Sequence, residues 1–470
     1  MKYIVSLFRK NYVLILFSPI ILNAVLNFLN PNSFNNFLQT KNLVLFISFT
    51  LGSFFYFYLS KMIKTFLKLD SFSLSLSMFL VSFFVFESLF LFITKNLSFD
   101  TSIAIVSTIW FSVILFKRKN YLEIFKLTSI YIIWRFFNHF FLNTLKDLSN
   151  YVELNSDVPA QWIGIVEMIY NKNYFYAFEN NLIEGQGLLP SYIQALMLKI
   201  GFGLENFTFI PVTINLLLFF SILLIVDLPL NSNNKVVLII TFVFLILNNN
   251  WLKYLMINSL MIEGIVSFLF GVFLYNLKDN LYSKKFSSLL FFLFFGSLTL
   301  TKNFVSLLSI GTVVICLLFL KKNKYVLLGP GVYAFYLIYQ KIYLPNIQNV
   351  AYTSEIDFKD LFFDFIFLRD LNLSNISNIF KHFTTDIPST YLIFLFLIFN
   401  IFNFLVKNKF EFTQTFIFVF VVVNFLLVNL LYVSYWRNVE YESSYRYIMN
   451  CFHLIFISTG LSISNFVNRK

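Results

Sequence analysis

Charged residues are scarce in this sequence. Asp, Glu, Lys and Arg make up 12% of the chain, about half the share that is usual in a globular protein. So few charges cannot cover a water-facing surface, which excludes a soluble enzyme and a disordered protein. Cysteine is nearly absent, and Cys316 and Cys451 both lie in apolar runs. This excludes a secreted disulfide scaffold and gives no support to a cysteine metal site.

Apolar residues fill the chain instead. They make up 58% of it, and Phe alone occupies 67 positions. Many apolar runs reach about 18 residues, the length that crosses ~30 Å of hydrocarbon. We therefore predict an all-α polytopic membrane protein with about 14 transmembrane helices. The predicted spans lie near residues 12–29, 43–60, 71–94, 101–116, 127–143, 207–227, 236–250, 262–277, 286–301, 304–320, 325–340, 389–406, 413–432 and 447–464.

The net charge of +12 is interpreted as a topology signal, because the basic residues sit in short loops between apolar runs. We expect no nucleic-acid partner. Segment 187–203 is short, contains Pro190 and carries Lys199. If it lies flat at the membrane interface, every basic loop falls on the cytoplasmic side. The basic loops in question lie at 61–68, 117–119, 278–285, 321–324 and 407–409.

This arrangement places both termini in the cytoplasm and two long loops, 144–206 and 341–388, outside. The first apolar stretch has no small-residue cleavage site, so we expect it to remain as an anchor. Most acidic residues then lie in the outer loops. Large loops on one face indicate chemistry or recognition at that face.

The first long loop contains Asp157 just before a predicted surface helix at 158–170. An apolar stripe runs along that helix and fits a membrane surface. Two interpretations of Asp157 stay open on local grounds. It is an N-cap that accepts backbone hydrogen bonds, or it is a functional carboxylate at the outer end of the fifth span. The stripe consists of Trp162, Ile163, Ile165, Val166, Ile169 and Tyr170.

An ordered set of motifs follows along the chain. The segment Glu184–Pro190 leads into the helix-forming stretch SYIQALMLKIGFG, and Glu263 opens a span from the outer face. A turn LTLTKN contains Lys302, and a turn ESSYRY precedes the last span. Together with Asp157 and the surface helix, this order resembles the GT-C superfamily. These are integral-membrane glycosyltransferases that use polyprenyl-phosphate-linked sugars, among them aminoarabinose, protein-mannosyl and oligosaccharyl transferases.

The resemblance covers roughly residues 127–464. It implies a transferase core at 127–470 with interfacial helices in the first outer loop, and leaves 1–126 as a transmembrane bundle of unknown role. The implied enzyme is a hexosyl- or pentosyltransferase of the cell envelope, in a bacterial inner (cell) membrane. Its partners would be a polyprenyl-phosphate-sugar donor, a glycan, lipid or protein acceptor, and membrane lipids.

The resemblance also implies roles for individual residues. Asp157 is the expected general base, and Glu263 would orient the acceptor or share a divalent cation with Asp157. Mg²⁺ or Mn²⁺ would accept two carboxylates and a phosphate as ligands, and whether a metal is used stays open. Arg446 and Lys302 would bind the donor phosphate. The remaining expected substrate-binding residues are Tyr445, Glu184 and Arg437.

Several charged or titratable residues fall inside predicted spans, among them Glu87, Arg135, His139 and His453. Intramembrane charges are functional candidates by default. For Glu87 and Arg135 we favour a plain alternative, an ion pair that holds the N-terminal helices to the core. His453 is interpreted as a histidine that packs between helices.

Two other functions remain open. One is an O-antigen or capsule polymerase, which also uses lipid-linked sugars. The other is a flippase or transporter of lipid-linked glycans, which should carry charges along a path through many spans. The clustering of charges at one face favours the transferase.

Overall fold

In a computed structural model of the protein, the described residues form helices and no strand. Each predicted span outside 12–29 and 304–320 coincides with a helix. The two exceptions lie outside the described residues. The structure describes residues 40–90, 95–118, 121–142, 163–180, 188–201, 210–248, 263–283, 285–301, 323–343, 387–407, 412–434 and 450–467.

The helices are numbered in chain order. The first nine are α1 (Thr40–Leu67), α2 (Phe72–Leu89), α3 (Phe99–Arg118), α4 (Tyr121–Phe137), α5 (Gly164–Asn171), α6 (Tyr174–Glu179), α7 (Leu189–Gly201), α8 (Ile210–Asp227) and α9 (Ser232–Asn248). The others are α10 (Glu263–Tyr275), α11 (Leu277–Leu281), α12 (Phe286–Ser297), α13 (Leu328–Tyr343), α14 (Ile387–Lys407), α15 (Phe412–Ser434) and α16 (Phe452–Val467). A π-helical turn, Asn138–Leu142, follows α4, and 3₁₀ turns at Leu298–Leu300 and Lys324–Leu327 follow α12 and precede α13.

The chain divides into two compact units. Unit 1 comprises Met1–Phe178 and Pro190–Ile262, and unit 2 comprises Glu179–Leu189 and Glu263–Lys470. The division predicted from the sequence, between 126 and 127, falls inside α4. Helix α4 packs on α1. The residues on either side of the predicted division therefore belong to the same compact unit.

Helix α1 is the centre of unit 1 and packs against α2, α3, α4 and α8. Gly52 of α1 allows the close approach of α4. A Cβ at Gly52 would lie 2.6 Å from Cζ2 of Trp134, a fully buried side chain. The indole N–H of Trp134 donates to the Ser48 hydroxyl at 3.4 Å, and that hydroxyl donates to Oδ1 of Asn138 at 2.6 Å. Helices α1 and α4 therefore join through both packing and buried hydrogen bonds.

Asp227, the last residue of α8, caps the start of α2. Its carboxylate accepts the N–H groups of Phe72 and Ser73 at 2.8 and 2.7 Å, and the hydroxyls of Ser71 and Ser73 at 2.8 and 2.6 Å. The first N–H groups of a helix have no partner within the helix, and a carboxylate there also interacts favourably with the helix dipole. The end of α8 and the start of α2 therefore lie together, as the predicted topology requires.

Helix α16 is the centre of unit 2 and packs against α10, α14 and α15. Polar side chains join these helices inside an apolar environment. Oδ1 of Asn400 accepts the hydroxyls of Ser458 and Ser462 at 2.8 and 3.3 Å, and Gln414 donates to Ser462 at 2.6 Å. Interhelical hydrogen bonds of this kind hold helices together where water is excluded.

Two described helices, Leu43–Leu67 and Phe72–Leu89, are long and apolar enough to cross a membrane. Passage of the other helices through a membrane, and the number of spans, stay predictions. Several of these helices nevertheless keep large apolar side chains exposed, for example Phe125 and Phe136 of α4, Ile240 of α9 and Leu405 of α14.

Candidate functional site

Of the residues predicted to carry chemistry, the structure describes Glu263. Asp157, Glu184, Lys302, Arg437, Tyr445 and Arg446 lie outside the described residues. Two groups of contacts are therefore described separately, one around Glu263 in unit 2 and one around the first long loop in unit 1.

Glu263 is the first residue of α10, and 1% of its surface is exposed. Residues 249–262, which precede it, lie outside the described residues, so the prediction that Glu263 opens a span is not tested. The sequence did not predict the nearly complete burial of Glu263.

One turn after Glu263, Ser267 joins α10 to the last helix. The Ser267 hydroxyl lies 2.7 Å from Nδ1 of His453, and the backbone N–H of His453 donates to the same hydroxyl at 3.0 Å. All three residues are buried. The interpretation of His453 as a packing histidine is confirmed, because Ser267 supplies its hydrogen bonds across two helices.

This contact defines which part of unit 2 surrounds Glu263. Residues four apart share one face of a helix, so Glu263 lies on the face of α10 that carries Ser267 and meets the start of α16. In the same unit, the Asn424 amide of α15 donates to Sγ of Cys451, the residue before α16, at 3.2 Å. Residues 435–449, which precede α16 in the chain and include Tyr445 and Arg446, lie outside the described residues.

In unit 1 the described helices of the first long loop pack on α2, α3 and α4. Of the surface helix predicted at 158–170, the described part is α5, and four residues of its predicted apolar stripe, Ile165, Val166, Ile169 and Tyr170, are buried in protein and do not face a membrane surface. The segment predicted to lie flat is also a helix, α7, with Pro190 in its first turn, where a missing N–H costs nothing. Ser191 and Gln194 of α7 are 0% and 1% exposed, so this helix is enclosed by protein rather than lying free on a surface.

Glu87, near the end of α2, binds two loop helices. Its Oε2 accepts the backbone N–H of Tyr174 at the start of α6, and its Oε1 accepts the hydroxyl of Tyr192 in α7, both at 3.1 Å. Burial, and next the charge of Glu87, raise the pKa of Tyr192. That hydroxyl therefore keeps its proton at neutral pH and donates a hydrogen bond to Glu87.

The predicted pair of Glu87 with Arg135 is wrong. Nη1 of Arg135 donates to the carbonyls of Lys199 and Ile200 at 2.8 and 3.2 Å, in the last turn of α7. The free carbonyls there form the negative end of the helix dipole, which attracts a cation. Glu87 and Arg135 therefore each contact α7 and do not contact each other. Hydrogen bonds to this loop helix take the place of the predicted ion pair.

Asn138 and Asp100 complete the contacts of α7. The Asn138 amide donates to the Gly201 carbonyl at 2.8 Å, so a second side chain caps the end of the helix. Nζ of Lys199 lies 3.1 Å from a carboxylate oxygen of Asp100 and 4.1 Å from the centre of the Tyr170 ring. Lys199, which was interpreted as a sign of an interfacial helix, therefore joins α7 to α3 and α5.

Sequence reasoning missed Asn173. Its Oδ1 accepts the N–H of Tyr176 and so caps α6, while its amide donates to the carbonyls of Lys95 and Leu97 at 3.1 and 2.8 Å. An Asn immediately before the run YFYAFE is a recognised start signal for a helix. The cap could have been found in this way, whereas its contacts with the turn before α3 could not.

Among the described residues, no group of three or more His, Cys, Asp or Glu side chains is placed to hold a metal ion. The predicted metal ligands are Asp157 and Glu263, and the first of these lies outside the described residues, so the proposed cation is not tested.

Comparison of the chain with models of known protein families, with curated proteins and with solved structures finds no match.

Proposed function

We propose that this protein is an integral-membrane glycosyltransferase of GT-C type. It would move a sugar from a polyprenyl-phosphate donor to a glycan, lipid or protein acceptor on the extracytoplasmic face. One observation carries the proposal: the described part of the first long loop forms the helices α5–α7, which pack on α2, α3 and α4. A transferase of this type requires such an ordered loop beside the outer ends of its spans.

A multi-pass arrangement in the membrane is part of the proposal. The two helices of sufficient length, α1 and α2, support it, and so do the exposed apolar side chains on α4, α9 and α14. Apolar surface of this kind is favourable against lipid and unfavourable against water. Both termini would be cytoplasmic, and the Asp227 cap and the loop helices would lie at opposite sides of the bilayer.

The chemistry would be divided among the outward charges. Asp157 would accept the proton of the acceptor hydroxyl or amine, and Glu263 would orient the acceptor from the start of α10. Arg446, with Lys302, would bind the departing phosphate. Tyr445, Glu184 and Arg437 would line the donor and acceptor sites. If Mg²⁺ or Mn²⁺ takes part, Asp157 and Glu263 would be its protein ligands.

The test compares cells with and without the gene by mass spectrometry of surface glycans and lipid-linked sugars. We expect loss of the gene to remove one sugar from an envelope glycan, lipid or protein and to increase its polyprenyl-phosphate donor. The wild-type gene should restore the product. Asp157→Asn should not restore it, whereas Asp70→Asn, at an exposed aspartate outside the loop, should.

Two results would contradict the proposal. An unchanged set of glycans and lipid-linked sugars would refute a transferase of this donor class. Accumulation of a complete lipid-linked glycan, with every sugar present, would favour the polymerase or the flippase. Full restoration by Asp157→Asn, at equal amounts of protein in the membrane, would refute the assignment of the base.

A further inference from the structure

Helices α2 and α3 belong to the N-terminal region to which the GT-C resemblance assigns no role. Glu87 of α2 nevertheless contacts two loop helices at once. One of its oxygens accepts from Tyr174 of α6, and the other from Tyr192 of α7, each at 3.1 Å. Glu87 is fully buried, so both hydrogen bonds are shielded from water.

The turn between α2 and α3 makes a second connection. Asn173 donates to the carbonyls of Lys95 and Leu97, and the N–H of Phe99 donates to the carbonyl of Lys172 at 2.9 Å. These bonds run in both directions between the same two stretches of chain. They fix the turn between α5 and α6 against the start of α3.

Aromatic packing fills the space between these polar contacts. The ring of Tyr192 meets the rings of Phe84 and Phe99 edge-on, with centroids 5.4 Å apart in each case. Tyr174 packs on Phe84 in the same way at 5.2 Å. Edge-to-face pairs at these separations are favourable beyond the area they bury. Helices α2 and α3 therefore determine where α6 and α7 lie.

We propose that the N-terminal helices α2 and α3 position the first long loop, with Glu87 as the main positioning residue and Asn173 as the second. Glu87 does not act on substrate in this proposal. It determines the placement of α6 and α7, and through them the loop that would bind the donor; this last step rests on the proposed function.

The first experiment measures the placement of α7 directly. Ala195 of α7 is 0% exposed, so a cysteine at that position, Ala195→Cys, should react slowly with a maleimide in the full-length protein in detergent. Adding Glu87→Ala should raise the labelling rate about tenfold, the effect expected from losing two buried hydrogen bonds. The protein without Ala195→Cys gives the background from native cysteines.

Two matched variants separate positioning from general loss of structure. Glu87→Gln keeps an acceptor of the same shape, so its labelling rate should lie between those of the wild type and Glu87→Ala. Glu123→Gln removes a partly exposed acid from α4 and should leave the rate unchanged. Equal rates in all three variants would overturn the proposal.

Asn173→Asp provides an independent test if Glu87→Ala fails to fold. The carboxylate still accepts the N–H of Tyr176, so the cap of α6 survives, but it now faces the carbonyls of Lys95 and Leu97 and repels them. We expect faster labelling of the cysteine at position 195 with an unchanged helical content by circular dichroism. Unchanged labelling in a folded Asn173→Asp protein would overturn the role of this connection.

The last criterion is whether the effects of substituting Glu87 and Tyr192, which contact each other, are additive. Tyr192→Phe should raise the labelling rate less than Glu87→Ala does. Adding Tyr192→Phe to Glu87→Ala should raise the rate further by less than Tyr192→Phe raises it alone, because the effects of substituting two residues in direct contact are not additive. Fully additive effects would mean that the two residues act independently.

In cells, Glu87→Ala should lower the amount of glycosylated product about tenfold at equal protein level, and Glu87→Gln should restore part of it. If the wild type forms no such product, the proposed function fails while the labelling result still decides the positioning role. If labelling rises but product formation is unchanged, α7 is not part of the donor site, and the link between positioning and transfer is refuted.

Discussion

Gly296 of α12 and Gly329 of α13 meet backbone to backbone. A Cβ at Gly296 would lie 2.7 Å from the Cα of Gly329 and 2.8 Å from its carbonyl oxygen. Real Cβ atoms do not approach other atoms so closely, and here the neighbour is backbone that cannot rotate away. The glycine at 296 is thus a requirement of the crossing between the two helices.

We expect Gly296→Ala to destabilise the protein by about 1–3 kcal/mol, the usual effect of overpacking. Gly331, also in α13, has open space around its Cα, and Gly331→Ala should be neutral or stabilising because Ala favours a helix. Thermal unfolding of both variants in the same detergent measures the difference. Equal melting temperatures would contradict the close crossing.

The Asp227 cap of α2 predicts a graded loss of stability. Asp227→Ala removes an acceptor for two N–H groups and two hydroxyls and should cost about 2 kcal/mol or more. Asp227→Asn keeps one oxygen and should cost less. Asp70→Ala, at an exposed aspartate in the preceding turn, is the matched control. A melting temperature of Asp227→Ala as high as that of the control would show that the cap contributes nothing.

Arg135 should stabilise the protein through its hydrogen bonds to the end of α7. Arg135→Met removes two hydrogen bonds to helix carbonyls, and we expect a loss of about 1–3 kcal/mol. Lys126→Met removes a cation from the same helix, α4, where the side chain contacts Glu123 at 3.9 Å, and exposed pairs contribute little. Limited proteolysis between α6 and α8 compares the two. Cleavage should accelerate in Arg135→Met alone.

Substitutions of Glu263 and Ser267, two buried residues of α10, should have different effects. Glu263→Gln should lower product formation about tenfold or more, because an amide cannot bind a cation or orient an acceptor as a carboxylate does. Ser267→Ala leaves two groups of His453 without their hydroxyl partner and should lower the melting temperature, with transfer retained at permissive temperature. Normal product formation in Glu263→Gln would remove it from the site.

Topology can be tested at two exposed positions. A cysteine replacing Asp70 should be labelled by an impermeant maleimide only after the membrane is opened, and one replacing Lys172 should be labelled in intact cells. Both side chains are exposed, so accessibility depends on the side of the membrane. Labelling of both positions from the same side would contradict the proposed topology.

The sequence predicted the helices well because apolar runs are long and uninterrupted. Their ends were less accurate: α1 continues to Leu67, past Lys61 and Lys64 of the predicted loop. Helix α6 was missed, since six residues of mixed polarity carry no periodic pattern. Its Asn173 cap was the one local signal.

The partners of buried charges could not be predicted from the sequence. Glu87 and Arg135 have opposite charge and both lie inside predicted spans, so an ion pair is the simplest expectation. Their actual partners are a tyrosine hydroxyl and backbone groups 64 to 105 residues away in the chain. Only packing determines such contacts. The burial of α7 escaped prediction for the same reason, because hydropathy does not distinguish lipid from protein as the surroundings of a helix.

The contacts of α7 also set an order of events during synthesis. Glu87, Asp100, Arg135 and Asn138 all precede α7 in the chain, so the surfaces that receive this helix leave the ribosome before it does. Chains fold from the N-terminus as they emerge, unit by unit. The loop helices can therefore dock before α10 is made, and a truncated nascent chain ending near residue 262 should already protect α7 from protease.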